Sequence, residues 1–328
     1  MRFGWRFHEY GEPGEVLRFE QSPDIHPGSN EIRVRVAATS LNFADVLLCR
    51  GRYQHKPDLP CTPGLEVCGI VEQVGEGVDP AALGSRVVGQ PVLPYGGFAD
   101  HALLRHEQAY PVPTNIDDAT AATLHLTYLT AWLGLHRRAG MRAGDVVVVT
   151  AAAGGVGSAA VQIARAAGAT VVGIASGAAK TAAVARLGAD HVIDRATDDV
   201  VASVRAFAPD GADIVFDSVG GEAYEWATKY IAFEGRIIVV GFASGAIPQP
   251  RLNHSFVKNY TIAGLHWTLY LRHRPELIDL AQKSLFEMTA SGLLDPMITT
   301  RIAPREIPMA LDTLAQGRTH GKIVVEWR

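Results

Sequence analysis

The sequence predicts an α/β fold in two domains, a partly closed β domain and a doubly wound parallel sheet. Three observations carry that prediction. At 328 residues the chain exceeds what one hydrophobic core usually serves. Up to about residue 115 it consists of short alternating segments punctuated by Gly and Pro, the texture of antiparallel strands. From Asp145 onward, continuous apolar runs alternate with helical stretches. A parallel sheet covered by helices on both faces requires that pattern.

Taken in order, EIRVRVA (Glu31 to Ala37) alternates charge with apolar residues and reads as a strand with one buried face. GLEVCGIVEQV (Gly64 to Val74), SRVVGQPV (from Ser85) and GFADHALL (from Gly97) supply three more strands. DDATAATLHLTYLTAWLGLHRRAG (Asp117 to Gly140) opens with two acids and closes with Arg137, Arg138 and a glycine, the end charges and stop signal of a helix. Six strands follow: DVVVVTA, TVVGIAS, HVID, ADIVFDSV, GRIIVVGF and YTIAGLHW. Beyond Trp267 one long helical pattern, a second short one and a terminal strand GKIVVEW are too little for a domain. They are expected to return to the β domain and make it discontinuous, residues 1–118 with 267–328 enclosing a dinucleotide domain over 119–266.

Composition narrows the function. With 48% apolar and 20% charged residues the chain is an ordinary globular protein, and a formal charge of -4 without any Lys/Arg block leaves no footprint for nucleic acid. The stretch from Val146 to Ser176 carries no charge before Arg165, but its glycines and its change of period argue against a membrane span. Cys49, Cys61 and Cys68 match neither a disulfide framework nor a zinc-finger spacing, so a reducing cytoplasm is expected. The N-terminus, MRFGWRFHEYGEPGEV, lacks the apolar run of a secretory signal.

Gly154, Gly155, Val156 and Gly157 lie between the strand Val146 to Val149 and a helix expected to begin near Ser158. A strand entering a helix through such a turn points backbone N–H groups and the positive helix end at an anion. Ala152 takes the first glycine position of the GxGxxG pattern. The second strand ends at Ser176, where an acid would bind the ribose 2′-hydroxyl of NAD and repel a 2′-phosphate. Ser176, with Lys180 and Arg195 nearby, points to NADPH.

The chain resembles the zinc-independent quinone oxidoreductases, the zeta-crystallin-like group of the medium-chain dehydrogenase/reductase superfamily. The resemblance spans almost the full length and rests on SLNFADVLLCRGRY (from Ser40), LPCTPGLEVCGIVEQVGEGV (from Leu59), LTYLTAW (from Leu126), AAAGGVGSAAVQIARAAGA, LGADHVID, DIVFDSVGG and GRIIVVGFASG. It implies a GroES-like β-barrel catalytic domain, a Rossmann domain, NADPH and a homodimer. Zinc-dependent relatives need a Cys, a His from a GHE motif and a four-cysteine lobe; here the matching positions read Asn42-Phe43-Ala44-Asp45 and Gly64-Leu65-Glu66, so no metal is expected. The implied reaction is hydride transfer to a quinone or conjugated enone, which spreads the arriving charge over its own oxygen. By resemblance, Asn42 lies beside the nicotinamide ribose and Thr127 near the nicotinamide. Tyr53 is either the proton donor or substrate orienter of the similar enoyl-thioester reductases or an aromatic lid. Gly241 and Phe242 line the nicotinamide pocket at the sheet's carboxyl edge, and Arg318 and Lys322 reach cofactor phosphates. His125 and Trp267 border the substrate or belong to the core. A 2-enoyl thioester reductase is the alternative, with Arg50, Arg52, His55 and Lys56 as its basic groove. A non-enzymatic NADPH-binding structural or RNA-associated protein is the other, though the sequence lacks a basic stripe.

Overall fold

A computed structural model describes residues 1–327. The chain divides into two compact units, Met1–Leu126 with the chain from Pro296 onward, and Thr127–Asp295. In the first, β1 (Arg2–Arg6) and β2 (Arg18–Ser22) form an antiparallel ribbon around the single turn α1 (Pro13–Val16). β3 (Glu31–Ser40) leads through α2 (Phe43–Cys49) into β4 (Val67–Val74), β5 (Arg86–Pro91) and β6 (His101–Pro111). These strands pair antiparallel in sequence, and β6 also pairs with β3, which closes them on themselves. The two-residue period decides which side is buried. Ile32, Val34 and Val36 join Val67, Val71, Val87 and Leu104 in an apolar cluster, whereas Arg33 and Arg35 turn away to Asp24 at 3.0 Å and Glu72 at 2.8 Å.

The helix expected from Asp117 begins as α3 (Asp118–Thr123), capped by the Asp117 carboxylate on Thr120 N–H. It continues as a wide π-helical turn over Leu124–Tyr128, α4 (Leu129–Trp132) and a second π-helical turn over Leu133–Arg138. Six strands follow with their crossovers. They are β7 (Val146–Val149), α5 (Gly155–Ala166), β8 (Thr170–Ala175), α6 (Ala178–Arg186), β9 (His191–Asp194), α7 (Val200–Phe207), β10 (Ala212–Asp217), α8 (Glu222–Tyr230), β11 (Ile231–Val239), α9 (Leu252–Lys258) and β12 (Thr261–Gly264). All pairings among the strands are parallel, in the order β12-β11-β10-β7-β8-β9. Winding therefore reverses between β7 and β10, and ligands of such sheets bind outside the carboxyl ends at that point. Both faces are covered: Val148, Val172, Val215 and Ile237 form a cluster with Val204 and Tyr224, and the intervening Val147, Val149, Val171 and Ile214 are equally buried.

Residues 267–295 group with this parallel-sheet unit, which corrects the expected boundary at 267. α10 (Thr268–His273) and α11 (Pro275–Ala290) supply the reason. Ile278, Ala281 and Leu285 form a fully buried stripe at helical spacing, and α11 rests against α4 and α10. The Asp295 N–H then donates to Gln162 Oε1 of α5 at 2.8 Å. Only the chain from Pro296 joins the first unit, through β13 (Ile298–Ile302), α12 (Ile307–Ala315) and β14 (Lys322–Glu326). β14 lies antiparallel on β3 and parallel to β13. The boundary expected at 119 moves likewise, because α3 packs on β3 and β4 and leaves residues 119–126 with the first unit.

Candidate cofactor and active site

In the parallel-sheet unit, β7 ends in a turn where Ala151 adopts a left-handed φ of 46° and accepts the Gly154 N–H at 2.8 Å. α5 starts at Gly155, with Gly154 as its cap, rather than near Ser158. Gly155, Val156 and Gly157 are thus its first turn, and N–H groups there have no partner within the helix. They meet an anion with the positive helix end behind them. A β-carbon on Gly157 would stand 2.2 Å from the Ala151 carbonyl oxygen, so the turn admits glycine alone at that position.

Ser176 follows the last residue of β8, and Gly177, with φ of 85°, turns the chain into α6. Lys180 sits in the first turn of α6 and Arg195 directly follows β9. Partial burial and then the nearby Arg195 guanidinium lower the Lys180 pKa, so the two cations share one neighbourhood. An anion between them relieves that repulsion. Asp194 lies there too, but its Oδ1 accepts N–H groups from Gly177 at 2.9 Å and Ala196 at 3.0 Å. Gly241 and Phe242 follow β11, in a loop whose Ala243 N–H donates to Ser218 O beyond β10. They stand at the carboxyl edge near the reversal of winding. Thr127 is buried in the first π-helical turn.

In the first unit the structure gathers residues that lie far apart in sequence. Asn42 caps α2, and its N–H donates to the Asp45 carboxylate at 2.9 Å while Gly64 N–H donates to the other Asp45 oxygen at 3.0 Å. Burial pushes Asp45 up to about 7 despite those two donors and the Lys322 charge. Glu66 Oε1 accepts from Asn42 Nδ2 at 2.9 Å, from Lys322 Nζ at 3.0 Å and from the Ser40 hydroxyl, and Oε2 accepts from Leu126 N–H at 2.8 Å. Glu66 is 0% exposed and Lys322 is 2% exposed. This corrects the expectation that Lys322 reaches a cofactor phosphate: its ammonium is consumed by Glu66, by Asn42 Oδ1 at 2.6 Å and by Leu41 O at 3.3 Å. Arg318 is exposed beyond α12, where its N–H closes a turn onto Thr313 O, and the structure does not bring it to this cluster.

Sequence reasoning noted Glu66 only as the neighbour of Leu65, which stands where the histidine of a metal site is missing. A signal was present. Glu66 lies in Leu65-Glu66-Val67-Cys68 and Lys322 opens Lys322-Ile323-Val324-Val325, and charges inside apolar runs need a buried partner; these two meet across β3, which β4 and β14 flank. Tyr53 follows α2, half-buried at the edge of the apolar cluster of Phe7, Leu48 and Phe98. Burial and the nearby Asp45 push its phenol up to about 12, so it is neutral at pH 7. Arg50 is held by Glu12 at 2.7 Å, while Arg52, His55 and Lys56 are exposed. His125 is fully buried beside the Tyr110 ring, and Trp267 is buried as well, which places both in the core of their own units.

The residues do not fit a tetrahedral zinc. Leu65, at the position of the missing histidine, offers no ligand atom and is fully buried, and Cys49 and Cys61 lie with it in one apolar cluster without a histidine. Among the described residues no three His, Cys, Asp or Glu side chains converge as a metal ion requires.

Residues 155–283 match the family described as zinc-binding dehydrogenase, and residues 28–114 match the alcohol dehydrogenase GroES-like domain. A quinone oxidoreductase-like protein 2 homolog of Nematostella vectensis is 36% identical over 91% of this chain and 82% of its own length. Among solved structures, a Pseudomonas syringae quinone oxidoreductase superposes with a TM-score of 0.92 at 29% identity, covering 100% of both chains. An Escherichia coli quinone oxidoreductase complexed with NADPH superposes at 0.91 with 28% identity, covering 99% of this chain and 100% of its own. Sequence, topology and the fit of both units make the same assignment: the chain belongs to the quinone oxidoreductase-like proteins of the medium-chain dehydrogenase/reductase superfamily.

Proposed function

We propose that this protein is an NADPH-dependent oxidoreductase that reduces a quinone or a conjugated enone without a metal ion. The observation that carries the reading is the pairing of a glycine turn opening α5 with the two cations Lys180 and Arg195 beside Ser176. The N–H groups of Gly155, Val156 and Gly157 bind the pyrophosphate, and Ser176, Lys180 and Arg195 bind the 2′-phosphate. Thr127, Gly241 and Phe242 line the nicotinamide end, and Asn42 holds the nicotinamide ribose. When bound, NADPH supplies the hydride. Tyr53, neutral at working pH, gives a hydrogen bond or a proton to the acceptor oxygen. The NADPH complex of the Escherichia coli relative supports the cofactor assignment.

A homodimer is part of the proposal. The edge strand β12 offers its unpaired backbone groups beside Phe256, which is 81% exposed, and Phe233, which is 71% exposed. The three free, buried cysteines support a reducing, cytoplasmic setting, and no helix among the described residues is long and apolar enough to cross a membrane. The test is NADPH oxidation measured side by side with a quinone, an enone and an enoyl thioester, before and after chelation. Turnover of the quinone or enone that survives chelation is expected. A preference for the thioester, or loss of rate with metal, overturns the reading.

A further inference from the structure

Lys322 and Glu66 bury opposite charges where the reaction described above has no direct use for either. Taking such ions out of water is costly unless every partner is satisfied, and truncating one leaves the other stranded. Their contacts converge on one neutral side chain. Lys322 Nζ, which only donates, reaches Asn42 Oδ1 at 2.6 Å, and Glu66 Oε1, which as a carboxylate only accepts, takes Asn42 Nδ2 at 2.9 Å. The pair fixes which way the amide faces, because a flipped amide would set donor against donor and acceptor against acceptor. The second Nδ2 hydrogen goes to Ser40 O at 3.2 Å. Both donors of Asn42 are consumed, and one of the two acceptor directions of Oδ1 is taken.

We propose that the Glu66–Lys322 ion pair is a positioning device that presents Asn42 to a bound cofactor as an acceptor only. The inference rests on the reading that Asn42 adjoins the nicotinamide ribose, and it makes that reading specific. Asn42 accepts a hydrogen bond from a ribose hydroxyl and cannot donate to the oxygen of the substrate. Stabilisation of that oxygen is left to other groups, Tyr53 among them. The ion pair touches neither cofactor nor substrate and acts through the orientation of Asn42.

The test compares the dissociation constants of NADPH and of two analogues, each lacking one hydroxyl of the nicotinamide ribose. In the unaltered protein one analogue is expected to bind about fivefold more weakly, the size of one ordinary hydrogen bond. Asn42→Ala should abolish that gap. If the gap survives in Asn42→Ala, Asn42 does not meet the ribose and the reading beneath the inference fails. The double variant Lys322→Met with Glu66→Gln removes both charges together, so neither ion is stranded, and frees the amide to turn. It should close the gap while binding the deficient analogue as before. A merely structural role would weaken all cofactors alike and preserve the gap, and that result overturns the positioning role alone. A second measurement needs no variant. With asparagine-selective 15N labelling, both Nδ2 protons of cofactor-free Asn42 should exchange slowly with solvent, and fast exchange overturns the lock.

Discussion

The Tyr53 phenol is half-buried, and with a pKa raised to about 12 it keeps its proton at every working pH. Tyr53→Phe removes the hydroxyl and little else. Turnover of enones is expected to fall about a hundredfold or more, the usual range for lost general acid catalysis, and turnover of quinones less. Steady-state rates with both acceptors check this, and equal rates with intact melting temperature and NADPH affinity would assign Tyr53 to packing. Asp45 makes a different prediction. Burial raises its folded pKa to about 7, above the ordinary aspartate value of 3.8, so between those limits the folded protein holds a proton that the unfolded chain releases. The stability it contributes is fully present below about 4 and is lost as pH rises to about 7, opposed by Lys322 and reinforced by Glu66. Melting temperatures across that window should show the fall for the native protein and a flatter course for Asp45→Asn. The sequence left Tyr53 open as proton donor, substrate orienter or lid, and it carried no signal for the Asp45 effect. Spacing marks Tyr53 as a loop residue, but burial decides its acidity.

The turn from β7 into α5 was legible as a motif, because a glycine cluster between an apolar run and a helix former has few other uses. Its register was not, since the first helical turn here consists of the glycines themselves. Gly157 and Gly154 separate two effects. A β-carbon at Gly154 would come within 3.2 Å of Ala151 O against 2.2 Å at Gly157. Gly157→Ala is therefore expected to cost about 1–3 kcal/mol of stability and to impair NADPH binding, with Gly154→Ala the milder of the two. Thermal midpoints and cofactor titrations read both. At the start of α6, Lys180→Ala should weaken NADPH by about 1–3 kcal/mol while leaving NADH nearly unchanged. Equal losses for the two cofactors would remove Lys180 from the 2′-phosphate. The π-helical turns over Leu124–Tyr128 and Leu133–Arg138 carry no sequence signal: their residues suit an ordinary α-helix, and only tertiary packing chooses the wider winding.

At the scale of the whole molecule, the six strands of the parallel sheet and their common direction followed from the alternation of apolar runs and helices, because each run is local, whereas the short strands β1, β2 and β13 were not read from the sequence. Placement of residues 267–295 did not, since the buried stripe Ile278, Ala281 and Leu285 specifies that α11 is covered without specifying by what. The Glu66–Lys322 pairing was hidden for a related reason, its two charges being 256 positions apart. Association is predicted at this scale too. Sedimentation should find the native protein at twice the chain mass, and Phe256→Glu, at an exposed ring beside the edge strand β12, should shift it toward the single chain. A native single chain at micromolar concentration would refute the dimer. The long reach from β3 to β14 also imposes an order of events on a chain leaving the ribosome. Glu66 emerges long before the ammonium that neutralises it, and until β14 adds to β3 the carboxylate must stay hydrated. The GroES-like unit is therefore opened before the parallel sheet and closed after it, with all six strands of that sheet synthesised in between.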